Sequence, residues 1–190
     1  MTAELKKYYD LFHGELFESC IPFWTRNAPD TVHGGIYNCL DRYGKIYSTD
    51  KSVWMQGRCA WTFSRLCNQF GKKEEWLKIA KACIDFLDKH CIDKADRRMY
   101  FTVTADGRPL RKRRYFYSET FYIMANAEYY TASGDKAALQ KAREYYDFVI
   151  GIYEKPASDP YKITLKQSKA QGRRARLPIG NTKIILKHLT

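Results

Sequence analysis

A shift of 63 residues lays this chain over itself, and that repeat restricts the folds open to it more than any other feature. Gly44 then meets Gly107, Gln56 meets Glu119, Trp61 meets Met124, Trp76 meets Leu139, Cys83 meets Tyr146 and Phe86 meets Val149. Each copy reads as a hairpin, a helix apolar on all sides, and a helix apolar on one side only. These segments fall at 34–47, 53–70 and 73–91 in the first copy, and at 99–110, 117–132 and 135–153 in the second. A further amphipathic helix over 2–20, with Leu5, Tyr8, Tyr9, Phe12 and Leu16 on one stripe, precedes them. Pro22 and the turn-rich run from Arg26 to Asp30 are expected to stop it.

A unit of this kind cannot bury its own apolar faces, so copies must stack around a shared core. The alternation of all-round apolar helices with one-sided ones predicts two concentric layers, an inner ring of buried helices and an outer ring facing water. A linear solenoid would instead make both helices of a pair equally amphipathic. The fold class is therefore all-α, an (α/α)6 toroid of the six-hairpin type. Five helices with two inserted β-hairpins amount to about its N-terminal half. Half a ring leaves inner faces uncovered, and self-association or a homodimer is expected of the isolated chain.

Composition narrows the class further. The chain has 190 residues, 45% hydrophobic and 15% aromatic, with 11 Gly and 6 Pro, which excludes a disordered or low-complexity protein. No apolar run is long enough for a membrane span, and the N-terminus leads into no signal-peptide block, so a cytoplasmic address is expected. Six cysteines without a CxxC pair or a nearby histidine point to buried reduced thiols, with no metal site and no redox motif. The net charge of +12 would suit a nucleic-acid partner, but residues 165–190 hold no acidic residue and carry +7 of it, leaving +5 for residues 1–164. That segment also lacks Phe, Trp and Tyr. It is read as an atypical basic tail, an out-of-frame or truncated extension beside a partial barrel domain over 1–164.

Chemistry is expected at the starts of the two buried helices. Arg58 lies in the run Trp54-Met55-Gln56-Gly57-Arg58, and a guanidinium in an apolar helix must meet a carboxylate or a wet cavity. Two readings stay open: a grip on a substrate oxygen, or an ion pair with Glu119 or Asp41. The matching run Tyr115-Phe116-Tyr117-Ser118-Glu119-Thr120-Phe121-Tyr122 offers rings and phenol hydroxyls of the sort that stack on sugars, Tyr117 foremost. His13, His33, His90 and His188 are scattered and read as structural. The basic run Arg108, Arg111, Lys112, Arg113, Arg114 reads as a solvated hairpin arm rather than a nucleic-acid grip.

Three ordered motifs, residues 33–44 (HGGIYNCLDRYG), 50–58 (DKSVWMQGR) and 116–125 (FYSETFYIMA), resemble the N-acylglucosamine 2-epimerase family, over about residues 5–164. The resemblance implies an (α/α)6 barrel that interconverts N-acetylglucosamine and N-acetylmannosamine, or acts on an aldose, ketose or disaccharide in sister branches. It further implies proton transfer at C2 of the opened sugar by paired histidines, with an arginine near the carbonyl oxygen. Arg58 matches that arginine, Tyr117 an aromatic pocket position of some branches, and Trp54, Gln56 and Glu119 complete the expected substrate-binding set. No cofactor is implied, although a nucleotide such as ATP modulates some members. The expected partner is a small-molecule sugar, with neither nucleic acid nor membrane. Family chains run to roughly double this length and carry their catalytic histidines in the second half, which this chain lacks, so it is expected to be truncated. A non-catalytic carbohydrate-binding half-toroid and a basic nucleic-acid-binding helical protein are the alternatives.

Overall fold

The first helical stretch runs further than its sequence suggests. In the computed structural model, which describes residues 1–112 and 116–155, α1 (Ala3–Gly14) passes through a π-helical segment (Glu15–Cys20) into α2 (Ile21–Asn27) without a break. Pro22 stands in the first turn of α2 and does not end the helix. A widened π turn leaves a carbonyl without its usual partner, so a residue lacking N–H is tolerated immediately after it. Thr2 caps the start, its hydroxyl accepting from the Leu5 amide at 3.3 Å. The apolar residues of α1 are open to solvent, with Leu5, Tyr8, Tyr9, Leu11 and Phe12 all at least half exposed, whereas Leu16 beyond it packs against the core.

The remaining helices are α3 (Val53–Phe70), α4 (Glu74–His90), α5 (Tyr117–Ser133) and α6 (Lys136–Glu154). α3 and α5 pack side by side as the inner layer, α4 covers both from outside, and α6 covers α5. With the continuous first stretch this makes five helices in the expected two layers. Asp135 caps α6, its carboxylate accepting from the amides of Ala137 and Ala138 at 2.9 and 3.4 Å. The core divides into one cluster around Ala60, Phe63, Trp76 and Cys83 and a second around Leu87, Met99, Ile123 and Val149.

Both hairpins form. β1 (Cys39–Leu40) pairs with β2 (Ile46–Ser48), and β4 (Tyr100–Val103) with β5 (Pro109–Lys112), all antiparallel. The turns hold Gly44 and Gly107 at φ +86° and +89°. An unforeseen strand, β3 (Lys51–Ser52), adds to the second hairpin through Lys51 opposite Val103 and Ser52 opposite Thr102. The basic tail at 165–190 and the residues Arg113, Arg114 and Tyr115 lie outside the described residues.

The 63-residue repeat is written into the hydrogen bonds. Ala28 accepts from the Tyr37 amide at 2.8 Å, and Cys91 from the Tyr100 amide at 2.9 Å. Asp30 donates its amide to Gly35 and accepts from Gly34, as Asp93 donates to Arg98 and accepts from Arg97. The bridge between Pro29 and Ile36 recurs between Ile92 and Met99. Even the left-handed backbone recurs, Gly34 at φ +83° and Arg97 at +61°. The repeating unit therefore starts one helix earlier than the sequence pattern suggests: outer helix, loop, hairpin, inner helix.

Candidate functional site

Running from their N-terminal ends past the middle, the inner helices carry matched stripes, Trp54, Arg58, Trp61 and Arg65 on α3 and Tyr117, Phe121, Met124 and Glu128 on α5. Three of the four pairs contact each other directly. The Trp54 and Tyr117 rings lie 5.4 Å apart, the Arg58 guanidinium sits 5.9 Å from the Phe121 ring centre, and Arg65 pairs with Glu128 at 3.3 Å. Such closeness depends on Gly57, where an added Cβ would come within 2.9 Å of Phe121. Asn68 ties the far end by donating to the Glu128 carboxylate at 2.7 Å and its carbonyl at 3.2 Å.

Trp54 is the hub of the open end. Its indole N–H donates to the buried Ser118 hydroxyl at 3.0 Å, and its ring meets Phe101 at 5.0 Å edge-on and Phe121 at 5.7 Å. The indole is thereby held across the gap between the two inner helices, partly buried. Arg58 is exposed and has no ion-pair partner among the described residues. Neither carboxylate expected as its ion-pair partner meets it: Glu119 is engaged elsewhere, and Asp41 spends its carboxylate on the amides of Tyr43 and Lys45 in the first hairpin turn, at 2.9 Å each. On its other side Arg58 borders an apolar cavity of about 360 Å³, walled by Leu16, Trp24, Ile36, Met55 and Phe63 among others.

Gln56 and Glu119 face away from this opening, both fully buried. Gln56 accepts from the Ile36 amide at 2.9 Å and donates to its carbonyl at 2.7 Å. Glu119 accepts from the Met99 amide at 2.8 Å and from Arg98 Nε at 2.8 Å, while its other oxygen has no partner. The structure thus brings Trp54, Arg58 and Tyr117 together and places Gln56 and Glu119 one layer behind, each holding the segment that leads into a hairpin.

Sequence reasoning passed over the charges that fix this scaffold. Lys51, entirely buried, bonds Asp30 at 2.7 Å, the Gly34 carbonyl at 2.7 Å and the Ala105 carbonyl at 3.1 Å, with its ammonium 4.3 Å from the Phe86 ring centre. Phe101 and Arg98 were also missed, although the 63-residue offset aligns Gly35 with Arg98. Of the described histidines none joins the aromatic cluster: His13 stacks on Phe17 at 4.5 Å, His90 on Phe86 at 5.0 Å, and His33 is exposed. The basic hairpin arm is partly neutralised, Arg108 by Asp106 and Lys112 by Asp93 and Asp96.

What this arrangement can do is hold a flat, hydroxyl-bearing ring on Trp54 and Tyr117 and aim a fixed cation at one of its oxygens. The chain is 36% identical over 148 residues to the N-acylglucosamine 2-epimerase of Rattus norvegicus, covering 76% of this chain and 35% of that one. It is 34% identical over 141 residues to the cellobiose 2-epimerase of Dictyoglomus turgidum, covering 71% of this chain and 36% of the other. The chain spans about a third of the length of these curated relatives. Among solved structures, cellobiose 2-epimerase from Spirochaeta thermophila matches with a TM-score of 0.69 at 31% identity, over 78% of this chain and 36% of that one. A D-mannose isomerase shares the fold at 14% identity, with a TM-score of 0.68 over 90% of this chain and 46% of the other. A sequence model of the N-acylglucosamine 2-epimerase (GlcNAc 2-epimerase) family matches residues 35–184. With that model matching well over half of the chain and a relative more than 30% identical over three quarters of it, the chain belongs to the N-acylglucosamine 2-epimerase family.

Proposed function

We propose that this chain supplies the carbonyl-binding part of a sugar 2-epimerase site, acting on N-acetylglucosamine and N-acetylmannosamine. The observation that carries the reading is Arg58, an exposed guanidinium without a carboxylate partner among the described residues, beside the aromatic cluster of Trp54, Tyr117 and Phe121. Removing the proton at C2 of an opened sugar sends electron density to the carbonyl oxygen. A cation fixed beside that oxygen stabilises the enolate, and return of a proton to the other face of C2 completes the epimerisation. Trp54 and Tyr117 hold the sugar by stacking. Gln56 and Glu119 act as supports, keeping the inner helices and the hairpins in register. The acid and base are not supplied by His13, His33 or His90, which lie away from the cluster.

That last observation favours a second reading, a carbohydrate-binding unit without turnover of its own. The two separate in one experiment: incubation of the full chain with N-acetylmannosamine in D2O, followed by NMR. Deuterium at C2 and the appearance of N-acetylglucosamine support epimerisation, and Arg58→Ala is then expected to lower the exchange rate by about a hundredfold. Shifted sugar signals without exchange support binding alone, and unchanged signals remove both readings. No described helix is long and apolar enough to cross a membrane. All six cysteines are free thiols, which fits a reducing, cytoplasmic setting.

A further inference from the structure

The contacts around Trp54 run in a row that ends on a second guanidinium. From Arg58 the row passes to Phe121 (5.9 Å), Trp54 (5.7 Å) and Phe101 (5.0 Å), and closes on Arg111 of β5, 5.8 Å from the Phe101 ring centre. Arg111 differs from its basic neighbours. Arg108 is matched by Asp106 and Lys112 by Asp93 and Asp96, whereas Arg111 has no carboxylate partner among the described residues and is exposed. It does not ride on a loose loop. Arg111 stands opposite Thr102 in the ladder, and the adjacent Lys112 pins β5 to the segment before β4 at 2.7 Å from both Asp93 and Asp96.

We infer that Arg111 is a specificity-determining residue that grips vicinal hydroxyls of the sugar at the end remote from C2. The inference rests on the sugar-binding reading above. Arg58 and Arg111 close the two ends of this row of rings, so an oxygen-rich ligand laid along it from Trp54 has a cation in each direction. Stacking on Phe101 leaves the in-plane N–H fork of Arg111 free to bond two neighbouring oxygens, a geometry an ammonium cannot reproduce.

The test is a titration of the full chain with N-acetylmannosamine, read by tryptophan fluorescence and ligand NMR, in wild type, Arg111→Ala, Arg111→Lys and Trp54→Ala. Arg111→Ala is expected to weaken binding about tenfold or more without changing the melting temperature, and Arg111→Lys to recover little of it. The 6-deoxy analogue should bind wild type more weakly than the parent sugar yet lose less on Arg111→Ala. Equal affinities in wild type and Arg111→Ala overturn the inference while leaving the sugar site standing. Absence of binding by wild type overturns the proposed function and the inference with it.

Discussion

The two inner helices solve one problem with different chemistry. In the first repeat the fourth residue of α3, Gln56, meets both the amide and the carbonyl of Ile36 with a neutral side chain. In the second repeat the third residue of α5, Glu119, meets the amide of Met99 and turns its charge to Arg98, leaving one oxygen without a partner. The cause lies one position before the latched residue. Gly35 has no side chain, and a Cβ there would come within 2.5 Å of Gln56 Oε1. Arg98 at the equivalent place brings a guanidinium only 2% exposed, and a buried cation needs an anion. The lesson is that latch and latched residue change together, amide with glycine and carboxylate with arginine.

The severest way to break the comparison is Glu119→Ala. It removes the buried carboxylate that both Arg98 Nε and the Met99 amide bond, so a loss of about 3–5 kcal/mol is expected in urea unfolding. Combining Glu119→Gln with Arg98→Gly rebuilds the first repeat's chemistry in the second and should recover most of that loss. A double variant as unstable as Glu119→Ala would show that the latches are not interchangeable. Next in size is Gly35→Ala, which adds a clash with Gln56 to a φ of +69°. It should cost about 2–3 kcal/mol, whereas Arg97→Ala in the second repeat, at the equivalent of Gly34, should cost less.

Acid separates Asp30 from Glu119 by sign. Burial alone would push the Asp30 carboxyl up, but the Lys51 hydrogen bond and the amides of His33 and Val32 outweigh it and hold it down at about 2, against an ordinary 3.8. Its contribution, about 2 kcal/mol, is therefore complete above pH 3.8 and lost as pH falls toward 2. At Glu119 burial prevails over the Arg98 charge and the Met99 amide, and the carboxyl lies above its usual 4.5. Its contribution is complete below pH 4.5 and is lost as pH rises through the folded value. Urea unfolding from pH 2 to 7 should show Asp30→Asn flattening the acid limb and Glu119→Gln the limb above pH 4.5. Identical profiles for the two variants would contradict the assignment. The smallest effect is expected at Arg97→Gly. Relief at φ +61° is offset by lost stacking on Tyr145 and Phe148, for a net change in Tm corresponding to less than about 1 kcal/mol.

How much of this was legible beforehand follows the kind of force involved. Apolar periodicity located α3 at Val53–Phe70 as observed, and the alternation of one-sided and all-round helices foretold two layers. The family motifs brought Trp54, Arg58 and Tyr117 forward, and all three meet at one opening. Lys51, Asp30 and Arg98 stayed hidden because a charge buried by a distant partner leaves no periodic mark, and each partner lies about 20 residues away. The signal was present in the offset itself, which sets Gly35 against Arg98 and Gln56 against Glu119 as two coupled exchanges. Pro22 misled for a related reason: a proline stops an α-helix, but the π turn before it depends on contacts that a local rule does not see.

β3 carries a consequence for how such an array can lengthen. Lys51 and Ser52 belong to the first repeat, yet their ladder partners, Val103 and Thr102, belong to the second. The first unit therefore finishes the second unit's sheet as well as packing against its helices. A duplicated copy could not simply be appended at an end, since it would have to be threaded so that its hairpin meets the waiting strand. Growth by whole interlocked units keeps a common polarity, and with it the alignment of every inner-helix mouth on the same side of the ring.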